Sequence, residues 1–134
     1  MLVVDSSALI AAQFQSTTGG RLVERLGAAD ELAAPHLIDL EFLQALRGLG
    51  RRGEMSKREA HDARAQFAEL AITRYPHEAL GNRIWELRHN LSAYDASYVA
   101  LAELLDVPLV TCDAAFEAAP GINARIELFA PEGA

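Results

Sequence analysis

Residues 92–113 read SAYDASYVALAELLDVPLVTCD. The first fifteen residues are an almost wholly apolar helix, interrupted near its start by Asp95. At 107–111 the chain turns at once into VPLVT, a short apolar strand, followed by Cys112 and Asp113. A buried helix feeding a short apolar strand is the repeating half of a parallel α/β sheet with both faces covered. The rest of the chain follows the same alternation. LVVD (2–5) is a strand and SSALIAAQF (6–14) starts a helix, with Ser6 or Ser7 near its cap. STTGG (16–20) breaks the pattern before a short helix, RLVERLG (21–27), closed by Gly27. ELAAP (31–35) is a second strand, and a longer helix spans 37–49 before the turn GRRG (50–53). Ser56 and Glu59 form a capping box for a helix ending near Leu70. AITRYP (71–76) is a strand, EALGNRIWELRHN (78–90) an amphipathic helix and IELF (126–129) the last strand. The expected fold class is therefore α/β, with short parallel strands flanked by helices.

Size and composition fit one domain over 1–134. The chain has 134 residues, 51% of them apolar, enough for a hydrophobic core. The lone Cys112 forms no internal disulfide, which suits a reducing compartment. No secretory signal and no run of about 20 apolar residues is present, so a cytoplasmic protein with no membrane partner is expected. The net charge of −7 argues against a general nucleic-acid binder, although a bound cation or a local basic patch reverses the sign locally. Lys57 is the only lysine, so arginine carries nearly all the positive charge.

In a parallel α/β sheet, ligands bind at the carboxyl ends of the strands. Asp5 and Asp113 both follow strands, so they can converge. Asp95 opens the apolar helix, and Tyr98, Val99 and Ala102 continue its face. Glu41 falls at the edge of the apolar stripe formed by Ile38, Phe42, Ala45, Leu46 and Leu49. Singly, each acid reads as a cap, a first-turn acid or a stripe-edge glutamate. Together their charges repel in a partly desolvated pocket, and no Lys or Arg lies beside them in sequence. A divalent cation answers that repulsion, and oxygen-only ligands select Mg²⁺ or Mn²⁺. The four histidines show no paired zinc spacing, and no P-loop, G-x-G-x-x-G or G-x-S-x-G motif is present. A receiver domain would need a lysine after a late strand, and a haloacid-dehalogenase-like hydrolase would need D-x-D where Asp5-Ser6-Ser7 stands.

LVVDSSALIA, PHLIDLEFLQALR, YDASYVALAELLDVPLVTCDAAF and the late APG resemble a PIN domain, and more closely the small VapC-type toxins of bacterial VapBC toxin–antitoxin pairs. The resemblance spans almost the whole chain, and Y-D-A-x-Y-x-A-L-A followed by L-V-T-x-D is its most specific part. It implies a single three-layer PIN domain and a metal-dependent endoribonuclease with Asp5, Glu41, Asp95 and Asp113 as metal-binding acids. Ser6 and Thr111 fall at the family's hydroxyl positions, whereas Glu117 is left unassigned. The cluster Arg47, Arg51, Arg52 and Arg58 is the candidate for RNA phosphate contacts, against an ordinary solvated turn. Leu40 and Leu43 form a second apolar face on the 37–49 helix, which a second buried face in the monomer or a partner would explain. The resemblance favours a homodimer and a cognate VapB-type antitoxin. The alternative is a non-catalytic PIN-like module that only binds RNA or protein.

Overall fold

The computed structural model describes residues 1–14 and 16–130. Five strands, β1 (Leu2–Val4), β2 (Leu32–Pro35), β3 (Ile72–Tyr75), β4 (Leu109–Thr111) and β5 (Ile126–Leu128), form one sheet in the order β3-β2-β1-β4-β5. All four strand pairings are parallel. Seven helices connect them: α1 (Ser6–Ala11), α2 (Thr17–Gly27), α3 (Ile38–Arg51), α4 (Lys57–Glu69), α5 (Gly81–Glu86), α6 (Ala93–Leu105) and α7 (Ala115–Ala118).

The short strands are apolar because the sheet is covered. All residues of β1, β2 and β4 are buried. Helix α6 lies against β1, β2 and β4, with α5 outside it. This explains its unbroken buried run from Ala96 to Ala102. Helix α1 packs on α2, α3 and β4, and α4 adds to α3, where Phe42 and Phe67 stack with ring centroids 4.1 Å apart. Each fully buried Leu, Ile or Phe contributes about 1.5–3 kcal/mol relative to exposure.

Several boundaries differ from the sequence expectation. Asp5 is the N-cap of α1, accepting from Ala8 N–H; Ser6 and Ser7 lie inside the helix. The STTGG stretch belongs to α2, which starts at Thr17 with the Ser16 hydroxyl accepting from Gly19 N–H. Gly19 is there for close packing: a Cβ would lie 2.2 Å from the Phe14 carbonyl oxygen. The expected 78–90 helix is a 3₁₀ turn at Glu78–Leu80, then α5, then turns that end where Ser92 caps α6. Arg88 contributes to that break, donating to the Trp85 carbonyl. Helix α3 continues through Arg51, absorbing half of the expected GRRG turn, and α7 was not anticipated. Helix α6 stops cleanly at Asp106, which takes a left-handed φ of 53°.

Strand order reverses direction across β1: β2 lies on one side and β4 on the other. This is a topological switch point, where the carboxyl ends of neighbouring strands leave a crevice. Asp5 and Asp113 emerge at that crevice.

Candidate functional site

β1 and β4 are in register with Val4 opposite Val110, so Asp5 stands level with Thr111. The Asp5 carboxylate is buried, only 5% exposed, and held by three donors. Ser7 Oγ donates to Oδ1 at 2.7 Å and Ala8 N–H to the same oxygen at 3.0 Å. Thr111 Oγ1 donates to Oδ2 at 2.6 Å. Each hydroxyl has one proton, so the Ser7–Thr111 approach of 3.3 Å is left as a contact once both protons point at Asp5. Ser7 and Thr111 in turn accept from Cys112 N–H and Asp113 N–H, both at 3.0 Å. The start of α1 and the end of β4 are thus tied through one carboxylate. A carboxylate has about four acceptor directions, and three are used here, leaving one on Oδ2.

The sequence put the supporting hydroxyl of this segment on Ser6. In the fold Ser7 bonds Asp5, because the second residue of α1 faces the end of β4, while Ser6 lines the adjoining cleft. Glu41, one turn into α3, accepts from the buried Tyr98 hydroxyl at 2.7 Å. Tyr98 was read only as part of a helix face. Its position three residues after Asp95 was the available signal for a shared role. Asp95 sits in the first turn of α6, its N–H bonded to the Ser92 cap at 3.1 Å. Asp113 Oδ1 accepts from Ala115 N–H at 2.9 Å.

The four acids act on one another. Burial raises Asp5 above the usual carboxylate range, its three hydrogen bonds pull it back, and Asp113 pushes it up further. Glu41 is raised by burial and by Asp95 and Asp5, with Tyr98 opposing. Asp95 is raised by burial and by Asp113. Among the described residues, no ion pair reaches any of these four; the arginines pair with Glu127, Glu54, Asp62, Asp39, Glu86, Glu103 and Asp106. Among the described residues, no ion pair offsets this negative charge. Burial, with Asp5 nearby, also pushes the Cys112 thiol up to about 11, which keeps it protonated and unsuited to nucleophilic work.

An all-oxygen donor set with uncompensated charge fits a hard divalent cation. Among the described residues, no three His, Cys, Asp or Glu side chains close around a point by themselves. An ion placed among these acids would therefore keep several waters and take at most one or two of the carboxylates directly.

Two open grooves flank the acids. One is lined by Glu41, Arg47, Leu37, Leu40, Leu43 and Tyr94. The other, about 740 Å³, carries Asp113, Cys112, Ser6, Ser7, Arg52 and Phe14 among its walls. Of the basic cluster, Arg47 and Arg52 therefore border the site. Arg51 is exposed at the end of α3 and lines neither groove, and Arg58 is paired with Asp62. Leu40 and Leu43 are 73% and 45% exposed, so this chain does not bury that face itself.

Residues 2–122 match the PIN domain family. The chain belongs to the PIN-domain family. A VapC ribonuclease of Mycobacterium bovis is 47% identical over 113 residues, 84% of this chain and 86% of that protein. Ribonuclease VapC1 of Mycobacterium tuberculosis is 40% identical over 127 residues, 94% and 96% of the two chains. Among solved structures, Mycobacterium tuberculosis VapC20, a toxin that cleaves the sarcin-ricin loop, has a similar fold. It gives a TM-score of 0.65 at 20% identity, covering 91% of this chain and 96% of that one. Within this PIN domain the hydroxyl at Thr111 carries a prediction of its own. Thr111→Val keeps the side-chain shape and removes the shortest bond to the Asp5 carboxylate. That bond favours the ionised form, so its loss raises the Asp5 pKa further. A carboxyl-carbon NMR titration checks this, with Thr111→Ser restoring the wild-type midpoint; an unmoved midpoint in Thr111→Val would contradict the geometry.

Proposed function

We propose that this PIN domain, spanning residues 1–134, is a Mg²⁺- or Mn²⁺-dependent endoribonuclease, the toxin of a VapBC-type pair. What supports the reading is that burial and charges within the set Asp5, Glu41, Asp95 and Asp113 raise the pKa values of Asp5, Glu41 and Asp95, while, among the described residues, none of the four forms an ion pair. The VapC ribonuclease relatives, aligned over most of their length, support the same activity.

In this reading the four acids surround the ion's position, with Asp5 as the anchor because three hydrogen bonds fix the orientation of its carboxylate, and waters would complete the shell. When bound, the divalent ion supplies acidity to a water and offsets charge developing on the phosphodiester. Glu41 is oriented by Tyr98 from the opposite helix, so α3 and α6 contribute to a site whose base is the β1–β4 crevice. Thr111 and Ser7 keep Asp5 aimed; neither hydroxyl is free to attack, since each proton is engaged. Arg47 and Arg52 take the RNA phosphates on either side of the acids, with Arg51 a more distant contact. Arginine is needed there because the chain as a whole is acidic.

A cognate VapB-type antitoxin inhibits the toxin, an antitoxin arginine meeting the acids in place of the cation. The exposed Leu40 and Leu43 face pairs two copies as a homodimer. The site of action is the cytoplasm. The test is cleavage of single-stranded RNA by protein stripped with EDTA. Activity is expected to be absent, to return with Mg²⁺ or Mn²⁺, and to stay absent with Ca²⁺-free buffer alone. Full cleavage in EDTA would overturn the metal dependence, and RNA binding without any cleavage in either ion would favour the binding-module alternative.

A further inference from the structure

We infer that the cleft beside Asp113 is a nucleotide subsite, in which Phe14 stacks on an unpaired RNA base adjoining the scissile phosphate and Arg52 holds that nucleotide's phosphate. The inference rests on the ribonuclease reading and adds to it the residues that grip the substrate on one side of the cut.

Phe14 is 39% exposed on the wall of the same cleft as Asp113 and Arg52. An aromatic ring left half open in a cleft that also carries Asp113 forgoes burial that the core would have supplied. Its backbone is nonetheless fixed. Phe14 N–H donates to Ala11 O at 3.2 Å, and its carbonyl accepts from Ser16 N–H at 3.0 Å. The first turn of α2 presses against it so closely that a Cβ on Gly19 would stand 2.2 Å from the Phe14 carbonyl and 2.9 Å from that of Ala11. Phe14 is thus tied through its backbone to the end of α1 and the start of α2.

The Arg52 side chain passes over a second glycine. A Cβ on Gly48 would lie 3.1 Å from an Arg52 guanidinium nitrogen, so the side chain folds back across α3 toward the cleft. Its ion pair to Glu54 at 3.3 Å is exposed at both ends, and such pairs contribute little and yield readily. An aromatic face and a guanidinium on one wall match single-stranded RNA, which is gripped by base stacking and phosphate contacts. The cleft, about 740 Å³, lies in the size range of ligand sites and opens directly onto Asp113. Charge complementarity selects the occupant: on a chain of net charge −7, a guanidinium at this cleft is placed for a phosphate.

The test uses a single-stranded RNA oligonucleotide that the wild-type protein cuts at one position in Mg²⁺, with a single abasic nucleotide walked across the flanking positions. Phe14→Leu keeps an apolar side chain without a stacking face, and Phe14→Trp keeps the face. Phe14→Leu is expected to lower kcat/KM by about tenfold or more, with Phe14→Trp close to wild type. One abasic position is expected to cost the wild type a similar factor and to cost Phe14→Leu nothing further. Arg52→Gln is expected to lower the slope of log KM against log salt by about one. Equal abasic penalties in wild type and Phe14→Leu at every position would overturn the subsite while leaving the nuclease intact. So would a Phe14→Leu protein that cuts normally and loses only its inhibition by an antitoxin peptide, which would make the occupant a protein segment. A wild type that never cuts RNA would instead overturn the ribonuclease reading, and the subsite with it. Thermal melts of each variant guard against unfolding.

Discussion

Replacing Asp5 with alanine is expected to reduce RNA cleavage by about a thousandfold or more in Mg²⁺. The carboxylate is buried at the switch point of the sheet and oriented by Ser7, Ala8 and Thr111. One oxygen direction remains for an ion. Removing it takes away several kcal/mol of charge stabilisation in the transition state, and each ~1.36 kcal/mol is a tenfold loss of rate. Alanine also removes the cap of α1, at a cost of about 0.5–2 kcal/mol. Circular dichroism and a thermal melt separate the two effects: a folded, inactive variant is the expected outcome. Asp5→Asn, which keeps the shape, should be inactive as well. Cleavage within a few-fold of wild type in a folded Asp5→Ala protein would remove Asp5 from the site.

Asp95→Asn is expected to move activity and stability in opposite directions. The Asp95 carboxyl is raised above its ordinary value of 3.8 by burial and by Asp113. Ser92 pulls the value back, but burial and Asp113 leave it raised. A raised carboxylate binds more protons folded than unfolded between its ordinary and its raised pKa. Stability from this group is therefore greatest below the ordinary value, falls as pH climbs through that window, and stays lower above it. The amide removes the charge and the repulsion together. In metal-free protein at pH 7, Asp95→Asn should melt above wild type. The difference should vanish near pH 3, where the wild-type carboxyl is itself neutral. Saturating Mg²⁺ should raise the wild-type Tm and leave the variant nearly unmoved, while RNA cleavage by the variant falls by at least about a hundredfold. A melt of the variant at or below wild type at pH 7 would contradict the charge repulsion.

How much of this was legible in the chain depended on the kind of signal. The parallel sheet followed from LVVD and VPLVTCD, because short apolar runs ending in an acid have few other homes in a covered α/β fold. Asp5 and Asp113 came with it, since the carboxyl ends of neighbouring parallel strands lie side by side. Glu41 and Asp95 were readable from helical phase. What was lost lay in directions that only packing decides. Ser6 and Ser7 differ by one residue, about 100° around α1, and sequence does not say which faces β4. Tyr98 looks like core in a stretch where nearly every residue is core; its hydroxyl bond to Glu41 crosses from α6 to α3. The glycines of STTGG read as a break, yet they lie in α2, and position 19 is glycine because the Phe14 carbonyl leaves no room for a side chain. Arg51 and Arg52 looked equivalent in a turn. Once α3 runs through Arg51 and is capped at Arg52, only Arg52 of the two lines the cleft beside Asp113.

The most direct measurement is Mn²⁺ binding to metal-free protein at pH 7, followed by the electron paramagnetic resonance signal of free Mn²⁺, for wild type, Asp5→Ala and Asp95→Asn. If the four carboxylates form the ion site, wild type binds Mn²⁺ and each variant loses at least about tenfold in affinity. Binding that is equal in all three proteins would contradict it.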